Sequence, residues 1–123
     1  MHLLKRKPRV LVLDDDIAMQ KLVSMLLKRA GNRVDVVDNG RKAIDAIGKT
    51  SYHAILLDLM MPTEGGMTVI SHLRSAKPEL LRRVIVLTGS PDSVLTGIAK
   101  EVFGVVKKPF NGDDLVATVA RLA

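Results

Sequence analysis

The sequence predicts an α/β fold in which a five-stranded parallel sheet is covered on both faces by five helices. Three observations carry this prediction. Short β-branched runs alternate with amphipathic stretches along the whole chain. The runs are continuously apolar rather than alternating, as strands buried on both faces require. The 123 residues hold no internal repeat, low-complexity stretch or linker, so residues 9–123 read as one domain behind a basic tail at residues 1–8.

Each element has its own signal. Arg9-Val-Leu-Val-Leu13 is the first strand, an apolar run leading straight into three aspartates. Met19, Leu22, Val23, Leu26, Leu27 and Ala30 then recur at helical spacing, with Asp16 placed to cap that helix and Gly31 to stop it. Val34 to Val37 is the second strand, and Ala43, Ile44 and Ile47 mark a short helix ending at Gly48. His53 to Leu57 is the third strand, running directly into Asp58. After the loop from Met60 to Gly66, the trio Val69, Ile70 and Leu73 marks a helix that Pro78 stops. Val84 to Leu87 is the fourth strand, exiting into Thr88-Gly89-Ser90-Pro91, and a helix follows from Asp92 to Lys100. Gly104 to Lys107 is the fifth strand, Lys108-Pro109-Phe110 a turn, and Leu115, Val116, Val119 and Leu122 give the last helix. The compact arrangement for this pattern is the flavodoxin-like doubly wound sheet, strand order 2-1-3-4-5, whose crevice lies at the carboxyl ends of strands 1 and 3.

Composition narrows the function classes. The chain is 47% hydrophobic and 26% charged, which excludes wholesale disorder. It has no cysteine, which excludes a disulfide framework, thiol catalysis and Cys-type zinc sites. Only Val10 to Leu13 follow the basic N-terminus before the aspartates, too short for a secretory h-region, and no run approaches the roughly 20 apolar residues of a membrane span. A cytoplasmic, non-membrane domain is the expectation. The net charge of +6 invites a nucleic-acid reading, but Lys28-Arg29, Arg82-Arg83 and Lys107-Lys108 are pairs rather than a stripe, and one Tyr with two Phe offers little to stack on bases. Direct nucleic-acid binding by this domain is not expected.

The strand exits are where chemistry belongs in this fold. Strand 1 exits into Asp14-Asp15-Asp16, strand 3 into Asp58, strand 4 into Thr88 and strand 5 into Lys107-Lys108. Taken singly, an aspartate after a strand is usually a cap or turn residue, and Asp16 and Asp38 are assigned that way. The joint placement of Asp14, Asp15, Asp58, Thr88 and Lys108 on one rim is the specific signal. Converging carboxylates repel unless a cation intervenes, and oxygen-only ligands point to magnesium. Those acids argue against a flavin or nucleotide phosphate at this rim, and neither G-x-x-x-x-G-K-[ST] nor G-x-G-x-x-G occurs. His2, His53 and His72 have no ligand or nucleophile partner by spacing and read as structural, and the six methionines read as core filler.

Val10-Leu-Val-Leu-Asp14-Asp15-Asp16, Asp58-Leu-Met-Met61-Pro62, Val86-Leu87-Thr88-Gly89 and Lys107-Lys108-Pro109-Phe110 resemble the receiver domains of bacterial two-component response regulators. The resemblance runs from Arg9 to Leu122, with the four motifs in the family's order and spacing. It implies that Asp58 accepts a phosphoryl group from a phosphohistidine donor, with Mg²⁺ as cofactor. Asp15 would ligate the metal directly, Asp14 largely through water, and Met60 through its backbone carbonyl. Lys108 would pair first with the acceptor and then with the phosphate, its bond to Pro109 being typically cis, and Thr88 would swing towards the phosphate. The face formed by the fourth helix, fifth strand and fifth helix would then shift. Met60 and Ser90, two past the acceptor and two past the threonine, would flank the phosphoryl group.

Three positions depart from the family's pattern. Val105 stands where an aromatic is usual, Gly65 where an acid usually precedes the loop glycine, and the net charge is positive. The implied partners are a sensor histidine kinase or histidine phosphotransfer protein and a downstream effector or output domain, with a phosphorylation-dependent homodimer left open. No turnover of an external substrate is expected beyond self-phosphorylation and slow self-dephosphorylation. Two rivals stand beside this reading: a degenerate receiver that binds a protein without being phosphorylated, and a small magnesium phosphohydrolase of the haloacid dehalogenase type, whose D-x-D pattern Asp14-Asp15-Asp16 also satisfies.

Overall fold

Five strands, β1 (Arg9–Leu13), β2 (Arg33–Val37), β3 (Ala54–Asp58), β4 (Val84–Thr88) and β5 (Gly104–Lys107), pair in parallel in the order β2-β1-β3-β4-β5. The helices between them are α1 (Ile17–Arg29), α2 (Gly40–Lys49), α3 (Gly66–Ala76), α4 (Asp92–Glu101) and α5 (Gly112–Ala120). The order and class are those the sequence predicts. The computed structural model describes residues 7–61, 64–89 and 92–122, with backbone only at 92–95. Most of the basic tail, Ser90 and His2 therefore lie outside the described residues. No helix among those described is long and apolar enough to cross a membrane.

The period of two along a strand divides the core in two. Val10, Val12, Ala54, Leu56, Ile85 and Leu87 pack against Val23 and Leu27 of α1 and Leu115 and Val119 of α5. Leu11, Leu13, Ile55, Leu57, Val84 and Val86 pack on the other face against residues of α2, α3 and α4. Every one of these strand side chains is at most 1% exposed. At about 1.5–3 kcal/mol per buried aliphatic side chain, the three central strands are the principal source of stability. They hold their carboxyl ends, and whatever stands there, in fixed register.

Local signals account for the helix ends. Asp16 caps α1 as expected, its carboxylate accepting from the Ala18 and Met19 amides at 2.9 and 3.3 Å. Gly31 has φ +97°, the left-handed conformation that ends a helix most cheaply as glycine. For α2 the cap is Asn39, which accepts from Lys42 N at 2.9 Å, rather than its neighbour Asp38. Asp38 instead forms an exposed pair with Lys42 at 3.2 Å. Pro78 ends α3 and also opens a 3₁₀ segment, Pro78–Arg83, that packs Leu81 under the sheet. Leu122 falls beyond the last turn of α5 but still packs on the α1–α5 core.

One buried polar contact gives a direct test of this packing. The Tyr52 hydroxyl donates to Asp35 Oδ2 at 2.7 Å, and burial together with that carboxylate pushes its pKa up to about 12. The folded value exceeds the unfolded one, so the stability Tyr52 contributes is complete below pH 10 and is lost as pH rises through about 12. Tyr52 is the single tyrosine, so phenolate absorbance reports it alone. The expected titration midpoint lies well above the ordinary tyrosine value and drops to it when the chain is unfolded in urea.

Candidate phosphoacceptor and metal site

Asp14 follows β1 directly and Asp58 ends β3, and these strands are neighbours in the sheet. The two carboxylates are 0% and 3% exposed. Asp14 Oδ1 accepts from the Asp16 amide at 2.9 Å, and Asp58 Oδ1 accepts from the Met60 amide at 2.8 Å. Each strand exit thus curls back and hydrogen-bonds its own carboxylate, fixing its rotamer. The remaining oxygens face one cation: Lys108 Nζ lies 3.4 Å from Asp14 Oδ2 and 3.3 Å from Asp58 Oδ2.

Lys108 reaches this position because its backbone amide donates to Thr88 O at 2.8 Å, extending the β4–β5 ladder by one residue. The Lys108–Pro109 peptide is cis. Thr88, fully buried, ends β4 beside it. Asp15 is exposed, yet its carboxylate and those of Asp14 and Asp58 offer oxygens that lie within 4.8 Å of one another. Met60 contributes its amide, and its side chain is 62% exposed. Asp14, Asp15, Asp58, Met60, Thr88 and Lys108 are therefore all at the carboxyl end of the sheet, while Ser90 lies outside the described residues.

The electrostatics are those of an acid pair short of positive charge. Burial is the main cause that raises the Asp14 pKa, and the Asp58 charge adds to it. The Asp16 amide and Lys108 work in the opposite direction without overcoming it. Hard oxygen donors with no histidine or cysteine among them suit a small divalent cation, which would relieve the remaining repulsion. A carboxylate fixed beside a lysine and a metal-competent acid pair is also an oxygen nucleophile with charge neutralisation to hand.

Two supports were not legible in the sequence. Gln20 Nε2 donates to the Asp14 backbone carbonyl at 2.5 Å, tying α1 to the first acidic loop. Gly66 opens α3 so close to β3 that an added Cβ would stand 2.6 Å from the Asp58 carbonyl oxygen. Gly65 leaves α3 without a side-chain cap, and a Cβ there would meet Met61 Cβ at 2.8 Å.

A family model described as response regulator receiver domain matches residues 10–120. The transcriptional regulatory protein TcrA of Mycobacterium tuberculosis is 32% identical over 117 residues, which make up 94% of this chain and 46% of that protein. The chain thus spans about half the length of this relative. The solved response regulator protein TrrA of Thermotoga maritima, in complex with Mg²⁺-BeF, is 28% identical with a TM-score of 0.83, covering 94% of this chain and 99% of that one. The chemotaxis response regulator CheY4 of Vibrio cholerae is 27% identical with a TM-score of 0.82, covering 95% and 99%.

Proposed function

The chain belongs to the response regulator receiver domain family, and from that premise we propose that it is a phosphorylation-dependent signalling switch whose acceptor is Asp58. The observation that supports this most is Lys108 Nζ poised between two buried carboxylates, Asp14 and Asp58, at 3.4 and 3.3 Å. An Asp58 oxygen attacks the phosphorus of a phosphohistidine in line. The new O–P bond forms as the N–P bond breaks, and the departing imidazole keeps the electron pair and takes up a proton. Asp14, Asp15, Asp58 and the Met60 carbonyl would hold Mg²⁺, which would supply charge neutralisation at the transferring group.

Lys108 then exchanges its carboxylate partner for a phosphoryl oxygen, and Thr88 turns to the same group. Because the Lys108 amide is bonded to Thr88 O, the two move as neighbours, and their movement biases the α4–β5–α5 face. Val105, partly buried against the α3–α4 side of the core, replaces an aromatic in that coupling. The donor is a sensor histidine kinase or histidine phosphotransfer protein in the cytoplasm. The output is an effector protein or an attached domain, in keeping with relatives about twice this length. A homodimer formed on phosphorylation is a further form this output can take. The chain turns over no external substrate.

Intact mass after incubation with acetyl phosphate tests this reading. The expected result is a gain of one phosphoryl group that requires Mg²⁺ and is absent in Asp58→Asn. No gain in the folded native chain would turn the reading to a protein-binding module that works unphosphorylated. Retention of the gain in Asp58→Asn would point to a nucleophile on β1.

The lifetime of the acyl phosphate is a second expectation. The exposed Met60 side chain cannot orient an attacking water by hydrogen bonding. Met60→Asn should shorten the half-life several-fold, read as loss of the added mass with time, and an unchanged half-life would remove Met60 from the argument.

A further inference from the structure

At the amino ends of the strands, opposite the acidic rim, lies a cavity of about 520 Å³. Lys7, Arg9, Arg33, Lys77 and Arg83 line it, against the single acid Glu79. These residues are scattered in sequence and gathered only by the fold. Arg9 and Arg33 are direct partners in the β1–β2 register, so two guanidinium groups leave the same face of adjacent strands. Like charges placed opposite each other in this way are normally selected against. Asp35 compensates part of one, standing 3.8 Å from Arg9 Nη1, but it also accepts from Tyr52.

The guanidinium groups are held rather than solvated at random. Arg33 Nε donates to the Lys7 carbonyl at 3.1 Å and Arg83 Nη1 to the His53 carbonyl at 3.2 Å, contacts that fix position without cancelling charge. Arg9 Nε is buried and donates to no acceptor among the described residues. A buried donor left without a partner is uncommon and asks for an explanation. The cavity's apolar wall is the partly buried Leu80, beside the almost wholly buried Ile47 and Ile55. Its volume falls in the range of roughly 300–1,000 Å³ typical of small-molecule sites. Burial chiefly, with the neighbouring Arg83 adding to it, holds the His53 imidazole below its usual pKa.

We propose that this cavity binds a small phosphorylated organic anion of mononucleotide size, its phosphates on Arg9, Arg33 and Arg83 and its ring against the apolar wall. Guanidinium groups match phosphate oxygens two at a time, which favours phosphate over a simple carboxylate. The site is a concavity rather than a track. Its one aromatic, Tyr52, is 8% exposed with its hydroxyl engaged, so it offers no platform for the stacked bases of a nucleic-acid strand. The proposal is independent of the switch at the other end of the sheet.

Calorimetric titration of the full chain in EDTA, which removes any metal from the acidic rim, tests it with ADP, GDP, inorganic pyrophosphate, adenosine and a short RNA duplex. A saturable 1:1 isotherm for at least one nucleoside diphosphate is expected, with pyrophosphate weaker and adenosine silent. Arg33→Gln and Arg83→Gln should each weaken it about tenfold, and Lys28→Gln on α1 should leave it unchanged. The His53 imidazole, followed by NMR, should titrate at higher pH when the diphosphate is bound. Absence of saturable binding at millimolar diphosphate, equal binding of adenosine, or equal losses from Lys28→Gln would each overturn the proposal. Tighter binding of the RNA duplex, lost in the same two variants, would replace it with a nucleic-acid surface.

Discussion

Replacing Lys108 with methionine should produce the largest change in both stability and reactivity. Its ammonium is the one cation between Asp14 and Asp58 among the described contacts, and both carboxylates are almost wholly buried. Breaking a buried pair from one side costs about 3–5 kcal/mol. The lysine side chain is 24% exposed, so water screens part of that, and about 2–3 kcal/mol at pH 7 is the expected loss. The deficit should depend on pH in a definite sense. Asp14 already has a raised folded pKa, and loss of Lys108 raises it further. An acid with a raised folded pKa favours folding below its unfolded value and loses that contribution as pH rises through the folded one. The variant should therefore approach the native stability near pH 4 and fall behind towards neutrality. Millimolar Mg²⁺ should restore part of the difference at pH 7 by supplying the missing charge. Urea unfolding at both pH values, with and without Mg²⁺, reads all three effects; a loss indifferent to pH and metal would mean that Lys108 acts through packing alone. Phosphoryl uptake should fall by about 10²–10³, the usual cost of removing one charge-stabilising donor.

Adding a single methyl group at Gly66 should also be severe. The new Cβ would meet the Asp58 carbonyl oxygen at 2.6 Å, its carbonyl carbon at 3.1 Å and Leu59 Cδ2 at 2.9 Å. Two of those obstacles are backbone, so relief requires α3 and the end of β3 to part. Overpacking of this kind costs about 1–3 kcal/mol, and here the displacement falls on Asp58 itself. Gly66→Ala should lower the urea midpoint and slow phosphoryl uptake together. Gly97→Ala is the matched control: a Cβ there meets nothing within 4 Å, and the position lies within α4. That change should stabilise by about 0.5–1 kcal/mol and leave uptake untouched. Equal behaviour of the two variants would show that the close approach at Gly66 has no consequence for the site.

The sheet order and the acidic rim were legible because both rest on local patterns. Apolar runs of four or five residues fix strands, and the residue that follows each run stands at the carboxyl end whatever the strand order. That rule places Asp14, Asp58, Thr88 and Lys108 at one end of the sheet, and since it also picks Asp38 after β2, it is their joint placement that marks the site. The Lys108 contact with Asp14 as well as Asp58 could not be read this way, since it depends on side-chain reach across two strands. Asn39 rather than Asp38 capping α2 turns on one residue of backbone phase, which composition does not encode. The basic residues read as scattered pairs because their neighbours in sequence are the wrong ones to count. Arg9, Arg33, Lys77 and Arg83 meet only after three crossovers bring the strand starts together.

The two rims of the sheet bear on how this domain meets other chains. A parallel sheet ends in a row of unpaired amides and carbonyls on each outer strand, an invitation to a further strand from a neighbour. Here β2 carries Arg33 and Asp35 within its five residues, and β5 is four residues long, opening at Gly104 and closing at Lys107. Charged side chains and short length are the ordinary defences against such recruitment. Association of this domain, in signalling or by accident at high concentration, should accordingly run through helix surfaces and leave the sheet at five strands. Concentrated samples should stay free of the added β signal and dye binding that mark fibrillar assembly.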